Sequence, residues 1–123
     1  MTAPTALGTH LLIDLFTNSD LTDAALMKET IVAAVDVAGA TLLEYRWHSF
    51  GDGAGITAIA LLGESHMSVH TWPERQFAAF DLFTCNLDVN ADNVIDIIKN
   101  AYPAKSLTVS RILRGENTRS TTL

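Results

Sequence analysis

The pattern of hydrophobic and polar positions predicts two helices among six strands. Apolar residues recur with helical spacing from about Leu21 to Ala38, and again from Asn90 or Asp92 to Pro103. Alternating or continuously apolar segments of strand length cover residues 7–16, 41–50, 55–62, 66–72, 77–85 and 105–113.

Turn and capping residues mark where these elements end. Asn18 or Ser19 is expected to cap the first helix, and Gly39 to end it in a left-handed conformation. The sequence GDGAG, residues 51–55, reads as a glycine-rich loop, and Pro73 is expected to end the fourth strand.

This order of elements predicts an α+β fold of two layers, in which two helices cover one face of a mainly antiparallel sheet. The other face is left without cover. Trp47, Phe77, Phe80 and Phe83 form more aromatic surface than a protomer of two layers hides easily. We therefore expect a copy of the same chain to pack its sheet there face to face, giving a homodimer of αββα type.

Composition narrows the class of protein. The 123 residues, 48% of them apolar and 18% charged, suit a single domain spanning 1–123. A net charge of −6 argues against nucleic acid and anionic membrane as partners, and it is compatible with a cationic small molecule. Cys85 is the one cysteine, which excludes an internal disulfide framework and a multi-cysteine metal site. No signal peptide or membrane-spanning run is apparent, so a cytoplasmic protein is expected. The site is expected to contain no metal.

Polar residues gather around the fourth predicted strand in GESHMSVHTWPE, Gly63 to Glu74. Each residue has an ordinary explanation when taken alone. A Glu-Ser pair at a strand end is commonly a turn, a lone cysteine is most often a small buried hydrophobe, and Phe50 and Trp72 would normally be packing residues. Burying two histidines without partners is costly, however, so the whole group needs a well-satisfied setting or a chemical purpose.

The order of these residues resembles the signature of the prokaryotic S-adenosylmethionine decarboxylase proenzymes. The run GITAIALLGESHMSVHTWPERQFAAFDLFTC covers about a quarter of the chain, and its core E-S-H-x-x-x-H-T-W-P-E is specific. GTHLLID near the N-terminus and HSF before the glycine loop are also similar to the family. Departures are mild: threonine at Thr57 for serine, glycine at Gly63 for alanine, and asparagine at Asn86 for glycine.

The resemblance implies a pyruvoyl-dependent enzyme that makes its own cofactor. Decarboxylation of an α-amino acid needs an electron sink, which pyridoxal phosphate usually supplies. In this family Ser65 Oγ attacks the carbonyl of Glu64, the amide becomes an ester, and β-elimination followed by hydrolysis leaves a pyruvoyl group at Ser65. Cleavage at this bond would divide the chain into residues 1–64, the β chain, and 65–123, the α chain.

The same resemblance implies roles for three further catalytic residues. Thr57 would stabilise the tetrahedral intermediate through its hydroxyl. His70 would remove the proton in the elimination, and Cys85 would protonate the carbon from which CO₂ departs.

The substrate contacts implied by the family are aromatic and acidic. Phe50 would stack on the adenine with Trp72 as a neighbour, and Glu74 would accept hydrogen bonds from the ribose hydroxyls. Aromatic faces also attract a cationic sulfonium.

The spacing of Ser65 and His70 raises a geometric question. Five residues of regular strand extend about 16 Å and place the two side chains on opposite faces. Either the chain turns sharply at residues 63–66, or His70 serves Ser65 of another protomer. We favour a site shared between chains, because it agrees with the uncovered aromatic face.

The expected function is the decarboxylation of S-adenosylmethionine to the aminopropyl donor for spermidine synthesis. A pyruvoyl-dependent decarboxylase of a free amino acid, arginine or ornithine, is the alternative that keeps the same chemistry. A non-catalytic regulatory homologue is the alternative from another class, although such a protein would be expected to have lost Ser65, His70 or Cys85.

Overall fold

The computed structural model describes residues 6–116, which form six strands and two helices. A single turn of 3₁₀ helix, Pro73–Arg75, follows the fourth strand. Every predicted strand and both predicted helices are present. In chain order they are β1 (Gly8–Thr17), α1 (Ala24–Val37), β2 (Leu42–Ser49), β3 (Ile56–Leu62), β4 (Ser65–Trp72), β5 (Phe77–Thr84), α2 (Ala91–Ala101) and β6 (Ala104–Arg114).

All six strands belong to one sheet in the order β2-β3-β4-β5-β1-β6. Each neighbouring pair is antiparallel, and the register of β4 with both β3 and β5 is unbroken along its length. The α+β class with a mainly antiparallel sheet is therefore confirmed. The expected dimer stays a prediction.

The core lies between the sheet and the two helices. Strand residues alternate between buried and more exposed positions, as period-two side-chain geometry requires. From the helices, Met27, Ile31, Val94 and Ile98 are buried. The sheet contributes Leu11, Ile13, Leu15, Ile56, Ala58, Ala60, Leu62, Met67, Val69, Ala78, Phe80 and Leu82.

The first helix begins later than the sequence predicts. Asp23 is its N-cap, since the Asp23 carboxylate accepts a hydrogen bond of 3.0 Å from the backbone N–H of Leu26. The predicted caps Asn18 and Ser19 are therefore wrong. Leu21 made the predicted helix too long, because it is a loop residue that is buried in the core and therefore continues the pattern of apolar positions. Gly39 ends the helix as predicted, with a φ of 74°.

The sheet face away from the helices, here called the open face, has no layer over it in the protomer. Its more exposed apolar residues are Phe16, Ile59, Leu61, Trp72 and Ile112.

Two of the four aromatic residues expected on this face lie elsewhere. Phe80 is in the core because side chains alternate between the two faces along β5, and Phe80 is an odd number of residues from both Phe77 and Phe83. Phe77 and Phe83 do lie on the open face. Trp47 pairs with the core residue Ala58, so it projects to the helix side at the sheet edge.

Candidate active site

A tight hairpin turn joins β3 to β4 at the predicted cleavage point. Leu62 and Ser65 are paired across the hairpin, so Gly63 and Glu64 form its two-residue loop. Tight hairpins normally place positive φ angles at the loop residues, where glycine or asparagine accepts them. Here the positive φ falls on Ser65, at 155°. A non-glycine residue in this region is strained, and such strain is typical of functional sites.

All three oxygen atoms of Glu64 are held by neighbouring groups. The backbone N–H of Cys85 donates to the Glu64 peptide carbonyl over 3.2 Å. Thr41 holds the side chain, with its N–H 2.9 Å from Oε1 and its hydroxyl 3.3 Å from Oε2. Thr41 also accepts a hydrogen bond of 2.9 Å from the Gly63 N–H. The carbonyl that precedes Ser65 is thus fixed, with a hydrogen-bond donor directed at its oxygen.

Cys85 reaches this hairpin because of strand register. Ser65 pairs with Thr84 on β5, so the residue after Thr84 lies beside the turn. Its backbone binds the Glu64 carbonyl, while its side chain is a free and exposed thiol. The ordinary interpretation of this cysteine as a buried hydrophobe is therefore wrong.

The other end of β4 holds a second group of candidate residues. Thr57 and His70 are cross-strand partners, and Thr57 Oγ1 forms a hydrogen bond of 2.5 Å with His70 Nδ1. In the tautomer that donates from Nδ1, the Nε2 atom of His70 is a basic nitrogen. His48 of β2 is the partner of Thr57 on the opposite side, so the three side chains adjoin across three strands.

A surface depression of about 560 Å³ opens beside His70. It is lined by Phe50, Gly53, Ala54, Gly55, His70 and Glu74. The ring centre of His70 lies 4.2 Å from that of Trp72 and 6.0 Å from that of Phe50. An aromatic wall with one carboxylate suits a flat ligand that carries positive charge.

Gly55 lines this depression just before the first residue of β3. A Cβ atom at Gly55 would collide with the backbone carbonyl oxygen of Thr71 on β4. The hydroxyl of the same threonine accepts a hydrogen bond of 2.9 Å from the Ile56 N–H. Because backbone atoms cannot move aside as a flexible side chain can, this close approach requires glycine.

The residues predicted from the sequence therefore form two groups rather than one. Ser65, Glu64 and Cys85 lie at the N-terminal end of β4. The second group surrounds His70, which lies five residues along the same strand, and it also comprises Phe50, Thr57, Trp72 and Glu74. Regular strand geometry separates the backbones of residues 65 and 70 by about 16 Å. A turn at residues 63–64 is present, but it does not bring Ser65 to His70 of its own chain.

Two further residues contact the hairpin and were not singled out from the sequence. Thr41 was missed because it is 23 residues from Glu64 and belongs to no recognisable motif. His66 lies inside the E-S-H motif, and its Nδ1 atom is 3.4 Å from Ser65 Oγ. A histidine beside a candidate nucleophile is a signal that the sequence did carry.

Two kinds of feature are absent from residues 6–116. That part of the chain contains no group of three or more histidine, cysteine or acidic side chains that could hold a metal ion. Its helices include none that is long and apolar enough to span a bilayer.

Comparison with known proteins agrees with the resemblance seen in the sequence. The family model for S-adenosylmethionine decarboxylase matches residues 9–115. An S-adenosylmethionine decarboxylase proenzyme of Prochlorococcus marinus is 39% identical over 101 residues, which cover 80% of each chain. A proenzyme of Methanococcus maripaludis is 38% identical over 111 residues, covering 89% of this chain and 90% of that one. The crystal structure of the adenosylmethionine decarboxylase from Aquifex aeolicus superposes with a TM-score of 0.79 at 30% identity, covering 96% of this chain and 98% of the other.

Proposed function

The chain belongs to the S-adenosylmethionine decarboxylase family, and from this premise we propose that it is a proenzyme. In this proposal the chain cleaves itself between Glu64 and Ser65, and the two resulting chains decarboxylate S-adenosylmethionine. The observation that carries the proposal is the strained hairpin, where Ser65 has a φ of 155° and the Cys85 N–H binds the Glu64 carbonyl.

Self-cleavage follows from serine chemistry at this bond. Ser65 Oγ attacks the Glu64 carbonyl carbon, and the Cys85 N–H stabilises the negative charge that develops on the oxygen. The C–N bond then breaks to leave an ester and a free amine. Loss of the Ser65 α-proton expels the Glu64 carboxylate, and the dehydroalanine that remains takes up water and releases ammonia to give a pyruvoyl group.

The pyruvoyl group would supply the electron sink that decarboxylation requires. Serine fits this purpose at position 65, because it supplies both a nucleophilic oxygen and a leaving group on the β carbon, whereas alanine would supply neither. The residues around the hairpin fit such a group. The thiol of Cys85 is exposed beside Ser65, where it can deliver a proton to the substrate carbon after CO₂ has left.

A homodimer with shared sites completes the catalytic set. His70 lies at the opposite end of β4 from Ser65, with Thr57 beside it on β3, so the two residues serve the hairpin of the partner in this arrangement. The open face of the sheet supports it. Phe16, Ile59 and Leu61 are each at least 43% exposed there, and covering apolar surface of this kind is the main driving force of association.

The depression beside His70 is proposed as the site for the nucleoside and the sulfonium. Phe50 offers a ring for stacking on adenine, with Trp72 adjoining through His70. Glu74 lines the same depression, where its carboxylate can accept hydrogen bonds from ribose hydroxyls. A free amino acid such as arginine or ornithine would leave this aromatic surface unused. The product would be the aminopropyl donor for spermidine synthesis.

Intact mass measured over time tests the cleavage. The purified protein should resolve into chains of residues 1–64 and 65–123, the second with a blocked pyruvoyl N-terminus. Ser65→Ala is the matched control and should remain full length. A wild-type chain that stays intact after long incubation would refute the proposal, and so would cleavage at another bond.

Release of CO₂ from labelled substrates tests the specificity. The cleaved protein should act on S-adenosylmethionine and leave arginine and ornithine unchanged. Turnover of either free amino acid in preference to S-adenosylmethionine would favour the alternative decarboxylase. Cleavage without turnover of any of the three would favour a non-catalytic role.

A further inference from the structure

The proton on Ser65 Oγ must leave when that oxygen attacks the Glu64 carbonyl. His70 of the same chain lies about 16 Å along β4, and Thr57 pairs with it on β3, so neither can receive that proton. Within residues 6–116, the side chain hydrogen-bonded to Ser65 Oγ is His66, whose Nδ1 atom is 3.4 Å away. Imidazole is the side-chain group most often used to accept a proton from a nucleophile near neutral pH.

The strained backbone explains how two adjacent strand residues come into contact. Neighbouring side chains on a regular strand point to opposite faces of the sheet. Ser65 departs from this rule because its φ is 155° at the first position of β4. Its hydroxyl can therefore reach the ring of the following residue, although His66 itself keeps the regular register of the strand.

Packing holds the His66 ring beside the hairpin. The ring is partly buried and lies 5.9 Å, between centres, from the ring of Phe83, its cross-strand partner on β5. The ring of His10 also lies near that of Phe83, with a centre-to-centre distance of 5.8 Å. His10 Nε2 lies within hydrogen-bond distance of Asp81 Oδ1, at 3.0 Å, whereas His66 Nδ1 faces Ser65. The two histidines thus share a setting and differ in what their ring nitrogens touch.

We propose that His66 is the general base for the first step of self-cleavage, within its own chain. Its Nδ1 atom takes the proton from Ser65 Oγ as the oxygen bonds to the Glu64 carbonyl carbon. It returns that proton to the Ser65 nitrogen as the C–N bond breaks, so the ester forms with no net change in protons. This role rests on the proposed self-cleavage, and it leaves His70 of the partner for the later elimination.

Hydroxylamine separates the two steps experimentally, because it attacks an ester but not a peptide bond. Precursor purified in denaturant is refolded, and intact mass is followed with and without hydroxylamine. His66→Ala and His66→Gln should form ester about 100-fold more slowly than wild type, so hydroxylamine should not accelerate their cleavage. His70→Ala should accumulate ester, which hydroxylamine should cleave to a Glu64 hydroxamate and an N-terminal serine.

His10→Ala is the matched control, since it removes another imidazole that packs against the Phe83 ring but does not contact Ser65. It should cleave at the wild-type rate. His66→Gln gives the decisive rate if the alanine variant does not refold.

Three results would overturn the role of His66. They are a normal rate in either His66 variant, an ester that accumulates in them, or a failure of both variants to refold. A wild-type chain that never cleaves would instead remove the self-cleavage on which the proposal rests.

Discussion

The strained backbone at Ser65 predicts that Ser65→Gly stabilises the uncleaved chain relative to Ser65→Ala. Both variants lack the hydroxyl, so both should remain full length and can be compared as intact proteins. They differ only in the Cβ atom. Because φ at this position is 155°, alanine retains the clash that the serine suffers, and glycine removes it.

Two opposing terms set the size of the difference. A non-glycine residue in a sparsely populated region of φ and ψ costs about 1–3 kcal/mol. Glycine costs about 0.5–1 kcal/mol through its greater freedom in the unfolded chain. The net expectation is that Ser65→Gly is more stable by about 1 kcal/mol, which corresponds to about 4 °C in Tm for a chain of this length.

Urea unfolding followed by circular dichroism measures this difference. Protein concentration must be the same for both variants, because assembly contributes to apparent stability. Ser68 supplies the control, since it lies in the same strand without a positive φ. There Ser68→Gly should be less stable than Ser68→Ala by about 0.5–1 kcal/mol. If alanine were the more stable residue at both positions, the strain at Ser65 would be refuted.

Three further predictions concern catalysis, assembly and the depression. Cys85→Ala should cleave normally while product formation falls at least about 100-fold, and normal turnover would exclude the thiol as the acid. Mixing His70→Ala with Ser65→Ala chains before refolding should restore cleavage of the His70→Ala chain, and its absence in verified mixed dimers would exclude a shared site. Gly55→Ala should destabilise the fold by about 3 kcal/mol in urea unfolding, because the new Cβ collides with the backbone of Thr71. Gly63→Ala should change the stability little, because its Cβ has room, and equal effects of the two substitutions would contradict this reasoning.

The secondary structure could be predicted because apolar and polar residues alternate along the strands that are buried on one face only. The error at the start of α1 has a specific cause. Leu21 is 2% exposed, but it enters the core from a loop, and a pattern of apolar positions does not distinguish a loop residue from a helical one. Asp23 caps the helix because its carboxylate reaches the Leu26 N–H. Asn18 and Ser19 are also residue types that cap helices, but they lie too far from the start of this one.

The candidate site was only partly accessible from the sequence. The parity of Phe80 against Phe77 and Phe83 could have assigned their faces, because side chains alternate along a strand. The side on which Trp47 lies depends on the register between β2 and β3, which no local pattern fixes. The contact between Thr41 and Glu64 likewise joins segments distant in the chain.

The separation of the two groups along β4 has a consequence for the order of events in the proposed mechanism. The groups at the hairpin, Ser65 with His66 and the Cys85 N–H, suffice for ester formation in a single chain. The proposal assigns the elimination to His70, which a chain cannot bring to its own hairpin across about 16 Å of strand. In that arrangement a reactive ketone would be produced only after two chains have paired. The aromatic depression of the partner would then already adjoin the hairpin, so the electrophile would form where substrate binds and not on an exposed surface.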